Sequence, residues 1–526
     1  MTQQASLVEY GARRVIITIT AIFCALLEIV DTTIVNVALN DMRGNLGATM
    51  SEIGWVVTAY AIGNVIIIPM TSWLAQQFGR RNYFAVSIIM FTVASFLCGN
   101  ASTLWELVLF RFIQGVGGGA LLVTSQTIIT ESYPPEKRGM AQAIYGLGVI
   151  IGPTLGPPLG GYIIDHSSWP NIFYINIPIG IIATLLTLQF VRSPKYAEKK
   201  AANEIDWWGI AFLAAAVGAL QYVLERGQED DWFNDSTITI LTVVSVLGFF
   251  FFVWRELVYK NPIVELRVLK NGNLRIGTIL SFIMGFGLYG STFVLPLYTQ
   301  GLMGWTATQS GLLMLPAALM TAFMMPLIGK MLEKGIPQPY LIAAGMISFF
   351  VYSFWGYKII SPDTGKPDFF WMLIVRGVGL GLLFIPITAM SLSSLKGVQI
   401  GQGAAFTGMM RQLGGSFGIA LITTFVSRRN ELHRMDLVSK LDTNNPVVMD
   451  RVHSMQANFI HKGMDASTAL KSAYQSLEYT VIKQQTVLSY MDVFLYLGIL
   501  FLIFVPIVLL VKSNKKAGKL DASAMH

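Results

Sequence analysis

The 526-residue chain contains little charge. Only 13% of its residues are charged, whereas soluble domains carry about 25%. Hydrophobic residues make up 53% of the chain. This composition excludes an ordinary water-soluble domain, and we predict an all-α protein that crosses a membrane many times.

Cysteine is scarce as well. Cys24 and Cys98 are the two cysteines, and both lie in apolar runs, which excludes a disulfide framework and leaves no metal-ligand spacing. The sequence has no P-loop, so we expect no nucleotide, cofactor or metal. No cleavable signal peptide is evident, because Arg13 and Arg14 precede an apolar run that is too long for one. The first run is therefore expected to remain as an anchor.

What the chain does contain is a series of long apolar runs. Fourteen of them are long enough to cross a bilayer, which takes about 20 helical residues. They cover approximately residues 15–39, 52–75, 83–99, 104–130, 140–164, 169–191, 207–225, 236–254, 276–302, 306–331, 339–358, 369–395, 402–426 and 490–511.

The basic residues predict the orientation of these runs. With the N-terminus in the cytoplasm, 22 Lys and Arg fall in cytoplasmic segments and 4 fall in short outer segments. This bias follows the positive-inside rule and predicts that both termini are cytoplasmic. The formal net charge of +7 is then an orientation signal, and we expect no nucleic-acid binding.

One outer segment, 428–489, is much longer than a turn. Within it Leu470, Tyr474, Leu477 and Val481 are spaced by four, three and four residues, which predicts an amphipathic helix. Such a helix would cover the outer mouth of the protein or dock another protein.

Two carboxylates interrupt the first apolar run. Glu28 and Asp31 are three residues apart and so share one helix face. A charge in hydrocarbon costs at least about 2.5 kcal/mol, so such groups usually face a protein interior or a wet cavity. Two neighbouring acids in a low dielectric cannot both ionise cheaply. The pair indicates a proton-binding site, and a structural pair bonded to neighbouring helices is the alternative.

The chain also contains a weak internal repeat. Arg111 recurs as Arg376 after 265 residues, and Gly148 recurs as Gly414 after 266 residues. Two related halves around a central site are a transporter architecture. The predicted domains are a six-helix bundle at 1–191, a linker at 192–275 with inserted helices at about 207–225 and 236–254, and a second six-helix bundle at 276–526 that includes the segment 428–489.

The fifth apolar run has glycine at every fourth position. Such a pattern lets two helix backbones approach closely, and the prolines beside it remove amide donors and bend the helix. We predict a tightly packed gate or seal, and a plain packing face is the alternative. The motif residues are Gly148, Gly152, Pro153, Gly156, Pro157 and Gly160.

These motifs, in this order, resemble those of a known family. GVIIGPTLGPPLGG resembles the antiporter motif of the major facilitator superfamily. LEIVDTTIVNVAL and LVLFRFIQGVGGG resemble the first-helix and fourth-helix motifs of its fourteen-helix drug:proton antiporter branch. ERGQEDDWF and the long outer segment resemble the EmrB-type multidrug exporters within that branch.

The resemblance implies a major facilitator fold with 14 transmembrane helices, formed by two six-helix bundles plus two inserted helices. It implies proton-coupled efflux of lipophilic, cationic or uncharged drugs across a bacterial inner membrane, driven by the proton gradient. A periplasmic adaptor protein and an outer-membrane channel are the implied partners, beside membrane lipid. The alternatives are a specific exporter of a metabolite, lipid or siderophore and a non-transporting receptor.

The resemblance also implies roles for particular residues. Asp31 occupies the family's acidic position and Arg111 its basic position, so both are predicted to take part in proton coupling. Glu28 joins them on its own chemistry, as a group that tunes Asp31 or contacts cationic drugs. The candidate substrate pocket comprises Glu28, Asn64, Gln114, Tyr145, Tyr289, Gln300 and Arg411.

One loop departs from the family pattern. The usual GxLADRxGRR is here SWLAQQFGRR, so that Gln76 stands in place of the aspartate. This change places the charge-pair latch attributed to that aspartate in doubt. Gly79, Arg80 and Arg81 remain, and we expect the two arginines to bind lipid headgroups, to cap a neighbouring helix or only to orient the chain.

Overall fold

The computed structural model describes residues 7–134, 137–194, 205–361, 364–442 and 444–510. Within these ranges the secondary structure is entirely helical. The first eight helices are α1 Gly11–Leu46, α2 Met50–Ile53, α3 Trp55–Phe78, α4 Arg80–Gly99, α5 Leu104–Ser132, α6 Arg138–His166, α7 Asn171–Tyr174 and α8 Asn176–Phe190. The others are α9 Trp207–Arg226, α10 Ser236–Val258, α11 Gly272–Gly301, α12 Ala307–Leu313, α13 Leu315–Glu333, α14 Gln338–Ile359, α15 Lys366–Leu392, α16 Val398–Ser439, α17 Pro446–His461 and α18 Ala466–Leu509.

In the described part of the chain, thirteen candidate spans are long and apolar enough to cross a membrane. One predicted span, 402–426, has no counterpart among these thirteen. It lies inside the continuous helix α16. Its sequence is rich in glycine and carries Arg411 and Gln412, which dilute its apolar character. The prediction of an all-α, multi-pass membrane protein is confirmed.

Two predicted spans are each divided by a short break. The span at 169–191 becomes α7 and α8, and the span at 306–331 becomes α12 and α13. Pro178 and Pro316 lie just after these breaks and cannot donate a backbone hydrogen bond to the preceding turn. The breaks therefore have a local cause, and each pair of helices still forms one span.

The helices of each half pack mainly among themselves. α1, α3, α4, α5, α6 and α8 contact one another in the N-terminal half, and α11, α13, α14, α15, α16 and α18 do so in the C-terminal half. α6 contacts α12, α13 and α15, and α16 contacts α3 and α5. These two helices thus join the halves. The inserted helices α9 and α10 pack on each other, and α9 also touches α3 and α16.

The glycine run of α6 faces α1. A Cβ atom added to Gly156 would lie 2.9 Å from Cβ of Thr33 and 3.2 Å from the backbone nitrogen of Ile34. The equivalent atom at Gly160 would lie 2.7 Å from Cγ1 of Ile34. Elsewhere on α6, Pro158 packs against Gly311 of α12 in the C-terminal half. α6 therefore connects α1 with the opposite half through contacts that leave no room for a larger side chain.

The segment 428–489, which is predicted to lie outside, forms a helical extension. α16 continues beyond the predicted span to Ser439, and α18 begins at Ala466. Arg429 and His433 of α16 both contact Asp492 of α18, at 2.5 and 2.9 Å. The predicted stripe from Leu470 to Val481 lies in α18, where Val481 is buried and Tyr474 is exposed. These contacts connect α16 with α18, and α17 also packs against α18.

Candidate functional site

Asp31 is fully buried on α1 and receives hydrogen bonds on both carboxylate oxygens. Nη1 of Arg111 donates to Oδ2 at 2.6 Å. The side-chain amides of Gln114 and Asn176 donate to Oδ1 at 2.9 and 2.8 Å. This environment suits a charged carboxylate, because all three neighbours donate and one of them carries the opposite charge.

Arg111 is held as firmly as the carboxylate. Its side chain is buried, and its Nε donates to the backbone carbonyl of Val56 at 3.2 Å. The guanidinium lies 4.1 Å from the ring centroid of Tyr60 and 5.7 Å from that of Phe173, within the range of cation–π attraction. Removing either partner of such a buried ion pair typically costs about 3–5 kcal/mol, because the other charge remains without compensation.

The glycines that follow Arg111 explain how this pair can form. A Cβ atom at Gly115 would lie 3.1 Å from Cα of Tyr60 on α3, and one at Gly117 would lie 2.9 Å from the backbone nitrogen of Phe91 on α4. α5 can therefore approach two neighbouring helices closely. That approach brings the arginine of the fourth-helix motif to Val56 and, between the helices, to Asp31.

Glu28 lies one helical turn before Asp31 and has a different environment. Its Oε1 accepts a hydrogen bond from Nδ2 of Asn64 at 2.9 Å. Its Oε2 is buried and, among the described residues, has no hydrogen-bond partner. Oδ1 of Asn64 is likewise buried without a partner in that part of the chain. Glu28 thus keeps one carboxylate oxygen available to a proton or a ligand.

Glu28 also belongs to a cluster that includes both halves. It lies close enough to interact electrostatically with Arg411 of α16 and with the tyrosines Tyr145 of α6 and Tyr289 of α11. The guanidinium of Arg411 lies 4.9 Å from the ring centroid of Phe384, which is 6.3 Å from the ring of Tyr145. We call these five residues the central cluster.

The structure brings together most of the residues that the sequence predicted. Gln114 contributes to the surroundings of Asp31 and not to the central cluster. Gln300 is exposed at the end of α11 and lies outside both groups. Asn176 had a signal in the sequence, because it is a polar amide within the apolar run 169–191. Ser95, which accepts a hydrogen bond from Gln114 at 2.7 Å, had none.

The loop between α3 and α4 contains an ion pair of its own. Arg80 is paired with Glu131 of α5 through two hydrogen bonds of 2.5 and 3.1 Å. Gly79 has a φ of +80°, a conformation that favours glycine, and the backbone nitrogen of the exposed Arg81 donates to Ser193 at 3.1 Å. The loop is thus fixed to α5 and to the segment after α8, even though Gln76 replaces the family's aspartate.

Buried ionisable groups and two helical halves, in a chain with many candidate spans, are features of membrane transporters. The family model of the Major Facilitator Superfamily matches residues 21–419, so the chain belongs to that family. It is 35% identical over 436 residues to the multidrug export protein EmrB of Escherichia coli (strain K12), covering 83% of this chain and 85% of that protein.

Two further comparisons support the same family and fold. The chain is 33% identical to the fatty acid resistance protein FarB of Neisseria gonorrhoeae, over 97% of this chain and 98% of that protein. The solved structure of the proton:xylose symporter XylE shares the fold with a TM-score of 0.56 at 15% identity, covering 94% of this chain and 96% of that one. The predicted family and fold are confirmed.

Proposed function

We propose that this protein is a proton-coupled multidrug exporter that works by alternating access. Protons would move inward through the N-terminal half while lipophilic drugs leave the cell. The observation that carries the proposal is the fully buried Asp31, whose two oxygens are bonded to Arg111, Gln114 and Asn176. Its donors come from α5 and α8, so the charge of this α1 carboxylate is tied to two neighbouring helices.

Protonation of Asp31 requires a rearrangement of its donors. A proton on either carboxylate oxygen would compete with the hydrogen bonds that occupy it. Arg111 would lose its counter-charge, and because the same guanidinium holds the carbonyl of Val56, α3 would be affected as well. Proton binding would therefore favour one helix arrangement over another, which is what coupling requires.

The central cluster is the proposed drug site. Its residues come from α1, α6, α11, α15 and α16, so a bound molecule would contact both halves. α6 then links this site to Asp31, because its glycine run packs against α1 beside Thr33 and Ile34. We propose that the halves 1–191 and 276–526 rock about this region and that the glycine run seals the outer side.

We also propose that the outer extension binds a periplasmic adaptor protein that leads to an outer-membrane channel. The extension presents exposed apolar side chains, among them Met435, Val447 and Tyr479. Deleting residues 442–456 is expected to abolish crosslinking to the adaptor and to lower drug resistance in cells. If both were unchanged, this part of the extension would be a passive spacer.

A second candidate is specific export of a lipid-like metabolite. The similarity to FarB, whose name refers to fatty acid resistance, favours it. Both candidates use the same fold and coupling site, so a panel of drugs and lipid-like compounds distinguishes them. Transport of several unrelated drugs supports the first candidate, and transport of one compound class supports the second.

The test of the proposed function is drug-stimulated proton movement by the purified full-length protein in proteoliposomes. An imposed pH gradient should drive drug accumulation, and drug added without a gradient should cause protons to move in the opposite direction. An uncoupler should abolish the first effect. Drug accumulation that is independent of the pH gradient would contradict proton coupling.

The proposed orientation in a bacterial inner membrane, with both termini in the cytoplasm, has a direct test. Ser193 and Ser236 are both exposed, and the two native cysteines are buried, so background labelling should be low. An impermeant thiol reagent added outside should label Ser236→Cys but not Ser193→Cys. Labelling of Ser193→Cys from outside would reject the orientation.

A further inference from the structure

Arg411 is a buried cation, and one of its hydrogen-bond donors has no partner among the described residues. Its residue is 7% exposed, and Nη1 has no hydrogen-bond partner among the described residues. Glu28 lies within electrostatic range of it, but no carboxylate in the described part of the chain lies within ion-pair distance, whereas the buried Arg111 and Arg80 pair with Asp31 and Glu131. Because a buried charge is costly unless it is paired, this guanidinium suits a ligand that supplies a negative charge.

The surroundings of Arg411 are otherwise aromatic. Its guanidinium lies 4.9 Å from the ring centroid of the buried Phe384, which neighbours Tyr145. Tyr289 packs against the same face of α16, one helical turn after Arg411. A Cβ atom added to Gly415 there would be 2.9 Å from Cγ of the Tyr289 ring. The cluster therefore combines one free cationic donor with ring faces that can contact an apolar body.

We infer that Arg411 binds the anionic headgroup of lipophilic organic acids while Phe384 and Tyr289 contact their apolar part. The inference rests on the proposed function, since it names a substrate class for the central cluster. A guanidinium presents donors in a planar fork that matches a carboxylate, and such charge-assisted hydrogen bonds are stronger than neutral ones. The site would thus accept acids in addition to the cationic and uncharged drugs predicted from the sequence.

Glu28 makes the site selective in the opposite sense. Its Oε2 has no hydrogen-bond partner among the described residues, and its carboxyl lies within electrostatic range of Arg411. When ionised it attracts a cationic headgroup and repels an acidic one. Arg411 and Glu28 come from different halves of the chain. A single site with both groups can therefore discriminate headgroups by charge while it accepts one kind of apolar body.

The test compares three molecules with the same apolar body and different headgroups: decanoate, decanol and decylamine. Equilibrium dialysis at neutral pH measures the binding of each radiolabelled molecule to the full-length protein in lipid nanodiscs, with empty nanodiscs as the blank. The variants are Arg411→Gln, Arg411→Lys and Glu28→Gln. Arg376→Gln is the control, because it also removes a buried arginine from the C-terminal half.

We expect Arg411→Gln to lower the affinity for decanoate by at least tenfold, which corresponds to about 1.4 kcal/mol, and to leave decanol binding unchanged. Arg411→Lys should retain much of the decanoate affinity, because it keeps the charge. Glu28→Gln should strengthen decanoate binding and weaken decylamine binding. The control should not change the order of the three affinities.

Two results would overturn the inference. Unchanged decanoate binding by Arg411→Gln would show that this guanidinium does not bind the acid. An equal loss of all three molecules would show that Arg411 only holds the helices together. Neither result depends on proton coupling, which the proteoliposome experiment measures separately. Failure of coupling with headgroup-dependent binding intact would reject the proposed function and leave the acid site standing.

Discussion

The two halves place an arginine at matching positions and surround it differently. Arg111 of α5 pairs with the carboxylate of Asp31 on α1. Arg376 of α15, 265 residues later, donates instead to the hydroxyls of Ser291 and Thr292 on α11, at 3.0 and 2.5 Å. No carboxylate among the described residues pairs with it. The arginine position is therefore shared, and within the described ranges the arginine has a carboxylate partner in the N-terminal half and not in the C-terminal half.

This difference assigns different tasks to the halves. A proton can change the charge of the Asp31–Arg111 pair, whereas hydroxyl groups keep one charge state at any ordinary pH. The glycine contact is shared, because Gly418 of α16 approaches Phe286 of α11 as the glycine run of α6 approaches α1. We therefore interpret the N-terminal half as the half that responds to protons and the C-terminal half as a scaffold that moves against it.

The largest expected effect concerns the glycine contact on α6. Gly156→Leu should abolish export, because the new side chain would collide with Thr33 and Ile34 and displace α1 beside Asp31. Overpacking of this kind typically costs about 1–3 kcal/mol, so the protein should still insert and fold. Drug export by inverted vesicles and the amount of inserted protein are the measurements.

The control for that substitution is Gly44→Leu on α1. Nothing lies within 4 Å of a Cβ atom at Gly44, so export should remain near the unaltered level. If Gly156→Leu exported drugs as well as this control did, the glycine run would be an ordinary packing face and not a gate.

The two arginines should differ in their effect on stability. Arg111→Gln leaves Asp31 buried without its counter-charge and should cost about 3–5 kcal/mol. Arg376→Gln removes a charge that is bonded only to hydroxyls, so the cost should be smaller. Thermal unfolding of the detergent-solubilised variants compares them. Equal losses of stability would show that the halves do not differ in the way proposed. Adding Asp31→Asn should restore part of the stability that Arg111→Gln loses, because it removes the uncompensated charge.

Sequence reasoning singled out Asp31 and Arg111 because both residues carry charge in apolar runs, where charge is rare, but it left open whether Asp31 or Glu28 is the partner of Arg111. It also predicted a tight helix contact at the glycine run, since close backbone approach requires small residues at a fixed spacing, and the run packs against α1. The roles assigned to these residues in coupling and gating stay predictions.

Other contacts could not be read from the chain. The pairing of Arg80 with Glu131 could not be predicted, because the two residues are 51 positions apart and their contact depends on how α4 and α5 pack. Phe384 is one of many phenylalanines in apolar helices, and its sequence neighbourhood gives no sign that it lies over Arg411. Gln300 is exposed near the end of α11, and its sequence neighbourhood did not show that it lies away from the site.

A carboxylate introduced beside Arg376 would supply the ion-pair partner that this arginine lacks among the described residues. Thr292→Asp places an acid beside Arg376 and should be only modestly destabilising, because the opposite charges offset part of each other's desolvation cost. In the Arg376→Gln background the same change should be clearly more destabilising. Thr292→Asn is the uncharged control, and unfolding temperatures are compared for these four variants and the unaltered protein. Equal effects of Thr292→Asp in both backgrounds would show that no pair forms.

The smallest expected effect concerns the other acid of the N-terminal half. Glu28→Gln keeps an acceptor for Asn64 and should leave proton-driven export largely intact, with a shifted pH optimum or a selective loss of cationic substrates. Its effect should not add to that of Asp31→Asn, because neighbouring acids titrate as a pair. Export assays across pH with cationic and uncharged drugs test this, and complete loss of export would contradict the secondary role of Glu28.

The central claim is that Asp31 carries the coupled proton. The most direct test is pH-gradient-driven drug accumulation in proteoliposomes by the unaltered protein, Asp31→Asn, Glu28→Gln and the double variant. Asparagine keeps the shape and most of the hydrogen-bonding capacity but cannot titrate. We predict that Asp31→Asn still binds drug and no longer accumulates it in response to the gradient. Full gradient-driven accumulation by Asp31→Asn would contradict the assignment, and the same result in the double variant would exclude the pair as the coupling site.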